Sequence, residues 1–159
     1  MSVSLSDNKS RFYTKLSSEF EFEIFSPHTA DMNSSNNCSL VCKVKELSTG
    51  ATYLITGDTE NDRWDSIVKS FGSAIKADVL AAPHHGSKNG ISAAAIKLIA
   101  PDTVLVSAGV DNQYGHPDAE ATKLFNAYAK HWYQTNYGKG QSLKTVVSGG
   151  QANTYKFEP

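Results

Sequence analysis

Between residues 52 and 132 the apolar positions keep changing period, and that alternation is what most restricts the fold. "ATYLITG" and "DVLAA" are short apolar runs of the kind a buried strand makes. Between them, in "TENDRWDSIVKSFG", Trp64, Ile67, Val68 and Phe71 fall at i, i+3, i+4 and i+7, one face of a helix, with Glu60 and Asp62 in its first turn and Gly72 as its stop. The pattern then repeats. "ISAAAIKLIA" is predicted as a helix ended by Pro101, "TVLVSAG" as a buried strand, and "PDAEATKLFNAYAKHW" as a helix with Pro117 near its first position. Upstream, "EFEFEIFS" puts Phe20, Phe22 and Ile24 on one strand face, and "SLVCKVKE" joins "ATYLITG" through "STG" as a hairpin. Short strands are expected downstream at "HWYQT", "SLKTVVS" and "NTYKFE". Helices threaded between strands give an α/β layered fold, and hairpins at both ends make its sheet mixed, with flanking helices.

The length of 159 residues suits one domain, placed here at 19–159 behind a polar N-terminal segment at 1–18, and no repeat, low-complexity tract or linker interrupts it. A net charge of -1 gives no global field for polyanions, so nucleic-acid contact would need a local groove. Lys139 with Lys144, and Lys123 with Lys130, are scattered as on a solvated face. Eighteen consecutive apolar residues occur nowhere, and "MSVSLSDNKSR" lacks the apolar core of a secretion signal, so a soluble, cytoplasmic chain is the default expectation. Cys38 and Cys42 would sit about 13 Å apart in one strand, too far for a disulfide, and are expected as buried thiols. A Cys-His nucleophile pair has no other support.

Three loops at strand ends carry the unusual residues: "TGDTE", "PHHGS" and "SAGVDNQYGHP". Polar groups at the ends of successive strands can converge on one rim of a sheet, which gives Asp58, His84 and His85 a meeting place. Alone, Asp58 reads as the N-cap of a helix starting near Thr59. Together, a carboxylate and imidazoles are donors that zinc or manganese accepts. With Pro83 holding the entry extended, one histidine of the pair is expected to face the rim and the other to pack or to orient it. His116 alone reads as a turn residue before a proline. His28 and His131 are expected to be ordinary.

"NNCSLVCKV", "YLITGDTE", "ADVLAAPHHGS", "IAPDTVLVSAG" and "NQYGHP" resemble, in order and spacing, motifs of the metallo-β-lactamase superfamily, most closely its ComEC-like hydrolase domains. The resemblance runs from about Glu21 to Thr135 and implies the C-terminal half of a four-layer αββα sandwich. It assigns Asp58 to the family's metal-bridging aspartate and His85 to its late metal-ligand histidine, because His85, Gly86 and Ser87 fit the family's His-x-Ser pattern, with His84 as the alternative. Asp58 and His85 would then be catalytic, and Ser87, Asn112, Tyr114 and His116 would border the substrate. The implied chemistry is hydrolysis of phosphodiester-type bonds, in a nucleotide or single-stranded DNA, within competence and DNA uptake. A chain belonging to a ComEC-type membrane protein would be extracytoplasmic.

The superfamily's His-x-His-x-Asp-His signature is missing from the five histidines of this sequence. The first half of the domain is therefore expected to be absent, leaving about two ligands where a catalytic zinc uses roughly three. Metal binding by this chain alone would be weak. A lone second half also exposes an apolar sheet face, with Phe20, Phe22, Ile24, Leu40, Cys42 and Val44 on it, and so implies a partner: a complementary first-half segment or a second copy. Two function classes follow, a metal-dependent hydrolase half and a non-catalytic binding or assembly module on the same scaffold. A serine hydrolase is disfavoured, because no G-x-S-x-G is present.

Overall fold

The computed structural model describes residues 18–27 and 35–158 in full and the backbone of 12–15. Its main element is a seven-stranded sheet in sequential order, from β1 (Phe12–Lys15) and β2 (Phe20–Ser26) through β3 (Val41–Glu46), β4 (Thr52–Ile55), β5 (Val79–Ala81) and β6 (Thr103–Val106) to β7 (His131–Gln134). The first four strands are antiparallel neighbours and β4 to β7 are parallel, so the sheet is mixed as expected, but through the N-terminal hairpins alone, since the C-terminal hairpin takes no part in it. Three helices connect the parallel strands: α1 (Asn61–Phe71), α2 (Ala93–Ile99) and α3 (Ala119–Tyr128). A separate antiparallel ribbon, β8 (Ser142–Ser148) with β9 (Gln151–Phe157), follows β7. No described helix is long and apolar enough to cross a membrane.

The parallel strands advance in one direction without reversing, and right-handed crossovers then set every helix on the same side. Accordingly, α2 packs against both α1 and α3. The core lies in this single layer. Leu54, Leu80, Val104 and Val106 point from the strands onto Trp64 and Ile67 of α1, Ile96 and Ile99 of α2 and Phe125 of α3, all fully buried. The indole N–H of Trp64 donates to the Gly90 carbonyl at 2.7 Å, so its one polar group is satisfied.

Opposite the helices, cross-strand pairing lines up Phe22, Val44 and Tyr53 in one row and Ile24, Cys42 and Ile55 in the next. Of these only Cys42 is buried, and Ile55 is 40% exposed. This is the apolar face the sequence anticipates, except that Leu40 lies just before β3 and Cys42 is covered.

Several local expectations fail for identifiable reasons. Phe12–Lys15, inside the segment read as a polar lead-in, pairs with β2 as an edge strand, because backbone pairing does not need an apolar run. Pro117 precedes the N-cap Asp118 and is not in the first turn of α3. Cys38 occupies the turn before β3 and is half-buried, so the in-strand spacing does not apply to it. Cys42 is buried, and burial pushes its thiol pKa up, which leaves it a packing residue and a poor nucleophile. His28 lies outside the described residues.

Candidate functional site

The two ends of the parallel strands are built differently. At the N-terminal end Asp78 staples β4 to β5: its carboxylate accepts from Thr52 N at 2.8 Å and Thr52 Oγ1 at 2.7 Å, and its own N–H donates to Thr52 Oγ1 at 2.9 Å. At the C-terminal end the three motif loops converge. Asp58 follows β4 through Gly57, and His84 and His85 follow β5. The stretch from Ser107 to His116 follows β6. The end of β7 clamps it, since Thr135 Oγ1 accepts from Ala108 N at 2.9 Å and Asn136 Nδ2 donates to the His116 carbonyl at 3.0 Å.

The double histidine is not extended, contrary to expectation. His84 (φ 48, ψ 44) and His85 (φ 55, ψ 22) are both left-handed, and they form a tight turn with Pro83 and Gly86. Two consecutive non-glycine residues in this region cost on the order of 1–2 kcal/mol each. Long-range bonds hold the turn in place: His84 N donates to the Gly57 carbonyl at 3.0 Å and Asp118 N to the Gly86 carbonyl at 2.8 Å. Gly86 (φ +80) admits no side chain, because a Cβ there would meet Pro117 Cβ at 2.7 Å. The consequence is that both imidazoles are delivered to the same rim.

There His85 Nε2 lies 3.5 Å from Asp58 Oδ1, both side chains about half exposed. His85 Nδ1 is 2.7 Å from the Ser107 carbonyl, and since a carbonyl only accepts, Nδ1 carries the proton. In the neutral ring Nε2 therefore turns its lone pair toward the carboxylate. Two acceptors face each other with room for a cation, and a histidine so oriented by a backbone carbonyl is the arrangement metal ligands use. Two donors on one tetrahedral zinc stand about 3.4 Å apart, which the 3.5 Å separation matches. Asp58 and His85 thus fit as one edge of a metal shell. They do not complete one, because no group of three His, Cys, Asp or Glu suited to a metal occurs among the described residues.

Asp58 is not a helix cap. α1 begins at Asn61 and the cap position is Glu60, which makes no side-chain capping bond. Instead Glu60 Oε1 lies 3.5 Å from His84 Nδ1 and accepts from Asn36 Nδ2 at 2.9 Å. Sequence reasoning passed over Glu60 as an ordinary first-turn acid; its position two residues past Asp58 was the available signal. It also missed the supports from the loop before β3, where Ser39 Oγ accepts from Asp58 N at 2.9 Å and Asn37 Oδ1 from Glu60 N at 3.0 Å. Those contacts span about twenty residues of sequence and leave no local trace.

His84 and His116 meet edge to face with ring centroids 5.9 Å apart, and Tyr114 stacks on His116 at 5.7 Å. The Nδ1 atoms of His84 and His116 are both buried without a hydrogen bond. Beside them a cavity of about 440 Å³ is lined by His85, Ser107, Ala108, Gly109, Asn112, Tyr114 and His116. Tyr114 is 70% exposed at its mouth. Asn112 lines the cavity, but its amide is engaged with the loop, accepting from His116 N and donating to the Gly109 and His116 carbonyls. Ser87 stands apart: it is buried, and its hydroxyl accepts from Asn89 N at 3.3 Å. Of the residues singled out from sequence, the fold gathers Asp58, His84, His85, Asn112, Tyr114 and His116 and leaves Ser87 under the turn.

A mixed α/β sheet with a histidine–carboxylate rim at the carboxyl ends of its parallel strands is the class of protein this fold and site define. No family model matches the chain. Its similarities are to competence-related proteins. It is 34% identical over 111 residues to ComE operon protein 3 of Bacillus subtilis, a match covering 70% of this chain and 14% of that protein. It is 31% identical over 145 residues to competence protein ComA of Neisseria gonorrhoeae, covering 86% and 20%, and 30% identical over 107 residues to recombination protein 2 of Haemophilus influenzae, covering 67% and 13%. The chain thus spans a fifth or less of the length of these relatives.

Proposed function

We propose that this chain is the second half of a metal-dependent hydrolase of the metallo-β-lactamase type, acting on phosphodiester-type bonds in DNA uptake. Asp58 and His85 are its contribution to a zinc or manganese site, with His84 as the alternative donor. The observation that carries this reading is the pair of facing acceptors, Asp58 Oδ1 and His85 Nε2, 3.5 Å apart, with His85 held on a strained turn. The similarity to competence and recombination proteins supports the DNA-uptake setting. A substrate would enter the adjoining cavity past Tyr114 and His116.

With two donors supplied here, the reading requires a complementary first-half segment that brings the remaining ligands and covers the open sheet face. A homodimer would cover the face without adding a His-x-His-x-Asp-His set. The test is titration of the purified chain with zinc and manganese, followed by hydrolysis of a generic phosphodiester with and without a first-half segment. Weak metal binding is expected for the chain alone and none for Asp58→Ala or His85→Ala, with activity appearing only in the mixture. Activity surviving Asp58→Ala would remove Asp58 from the mechanism. The second reading, a non-catalytic binding module, is favoured by the lack of a three-donor cluster among the described residues. Metal binding that neither variant alters would decide for it.

A further inference from the structure

Between Glu120 and Glu158 the chain runs for 37 residues with five lysines and no aspartate or glutamate. The remainder carries ten bases and sixteen acids, so lysines without acids gather at this end, although one of the five, Lys130, is ion-paired with Asp102 at 2.7 Å. The ribbon of β8 and β9 lies in that end. Its register pairs Ser142 with Phe157, Lys144 with Tyr155 and Val146 with Asn153, so these side chains share one face, while Thr145 with Thr154 and Leu143 with Lys156 share the other. On the first face Tyr155 and Phe157 are 53% and 54% exposed, and Lys144 is exposed between Ser142 and the likewise open Val146. The second face carries Lys156, whose Nζ lies 5.2 Å from the Tyr133 ring centroid. Tyr133, Trp132, Tyr137 and Lys156 also line a cavity of about 270 Å³ where the ribbon meets the sheet edge, so the aromatic and cationic character continues around it.

We infer that this ribbon is a binding platform for single-stranded nucleic acid. Exposed aromatic rings and lysines with no carboxylate between them are the combination on which bases stack while the backbone is neutralised. Spacing argues for a single strand. Tyr155 and Phe157, two residues apart on one strand face, stand about 6.8 Å apart. That is twice the roughly 3.4 Å rise per nucleotide along one strand of a duplex, so successive bases reach successive rings only on a chain drawn out of the double helix. Lys144, directly across from Tyr155, is placed for the phosphate between them. The platform is separate from the Asp58 rim and does not rest on the metal-site reading.

The test is fluorescence anisotropy of the whole chain with labelled oligothymidylate, oligouridylate and a duplex of equal length, all with a chelator present so that the metal site plays no part. Single strands are expected to bind more tightly than the duplex, and the DNA and RNA arms assign the sugar. Affinity should fall about seven-fold between about 50 and 200 mM salt, a slope near about -1.4 for contacts from Lys144 and Lys156. The double variant Tyr155→Ala with Phe157→Ala should lose about thirty-fold or more. Both side chains are exposed, and an unchanged circular dichroism spectrum verifies the fold. Tyr155→Phe, which keeps the ring, should bind as the parent does. Equal affinity for duplex, no binding at low salt, or full binding by the double variant would each overturn the inference. So would a solution mass that drops from dimer to monomer in the double variant with no oligonucleotide bound, which would give the face to a second copy.

Discussion

The left-handed pair His84 and His85 makes a prediction whose sign differs from that at ordinary sites. Replacing both by alanine removes the imidazoles and keeps the Cβ atoms; replacing both by glycine removes the imidazoles and the Cβ atoms. Contacts of the histidine side chains, such as His85 Nδ1 to the Ser107 carbonyl, are lost in both and cancel in the comparison. What remains is backbone. A non-glycine residue at these φ values of 48 and 55 costs about 1–2 kcal/mol. Glycine pays about 0.5–1 kcal/mol of additional unfolded-state entropy. Glycine is therefore favoured by roughly 0.5–1 kcal/mol per site and about 1–2 kcal/mol for the pair. At a site with ordinary negative φ, alanine would win by a similar amount. For a domain of this size the difference corresponds to about 3–6 °C in Tm. Denaturant unfolding of the two double variants at one pH measures it. An alanine pair as stable as the glycine pair, or more stable, would refute the strain and with it the argument that the rim is held against local preference.

Three further outcomes follow. Gly86→Ala places a Cβ 2.7 Å from that of Pro117 at a left-handed position and should cost about 2–4 kcal/mol, read by thermal unfolding. Asp78→Ala removes the acceptor of two Thr52 bonds at the opposite strand end and should cost about 2–3 kcal/mol, while leaving any zinc affinity of the chain unchanged. Glu46, the last residue of β3, has its pKa lowered to about 2 by the Thr49 and Ser48 hydroxyls and then by the backbone N–H groups of the turn that follows. A depressed carboxyl stabilises the fold above its unfolded pKa near 4.5, and that contribution is lost as pH falls toward about 2. NMR titration should find the low midpoint, and Thr49→Val should raise it; a parent midpoint near 4.5 would contradict the turn geometry.

The fold was legible in the sequence because its layers are written in periodicity. Trp64, Ile67, Val68 and Phe71 could only share a helix face, and the short runs at Leu54, Leu80 and Val104 had no room to be helices. The convergence of Asp58 with the histidines followed from strand order, since successive parallel strands place their carboxyl ends side by side. The conformation of that convergence was not legible. Local preference puts the residue before and after a proline in extended or helical backbone, and nothing within "APHHGS" announces two left-handed histidines. They are imposed from outside, by the Gly57 carbonyl, by Asp118 N and by the crowding of Pro117 on Gly86. The same holds for Glu60 and Ser39, whose roles depend on a loop some twenty residues away.

The contrast between the two aspartates shows where this chain departs from a purely structural optimum. Asp78 and Asp58 stand at opposite ends of the same parallel strands. A carboxylate placed for stability takes the nearest donors, and Asp78 does so with Thr52. Asp58 instead faces an imidazole at 3.5 Å, beside a backbone turn that costs on the order of 1–2 kcal/mol per histidine. Two further imidazole nitrogens, Nδ1 of His84 and Nδ1 of His116, are buried there without a hydrogen bond and face carboxylates instead, Glu60 Oε1 at 3.5 Å and Asp118 Oδ2 at 3.6 Å. A domain with a net stability of roughly 5–15 kcal/mol does not gather such costs at one strand end for packing reasons. The strain and the three imidazole–carboxylate approaches share one rim and one cavity mouth, which is the distribution expected when a site is held ready for something that binds there.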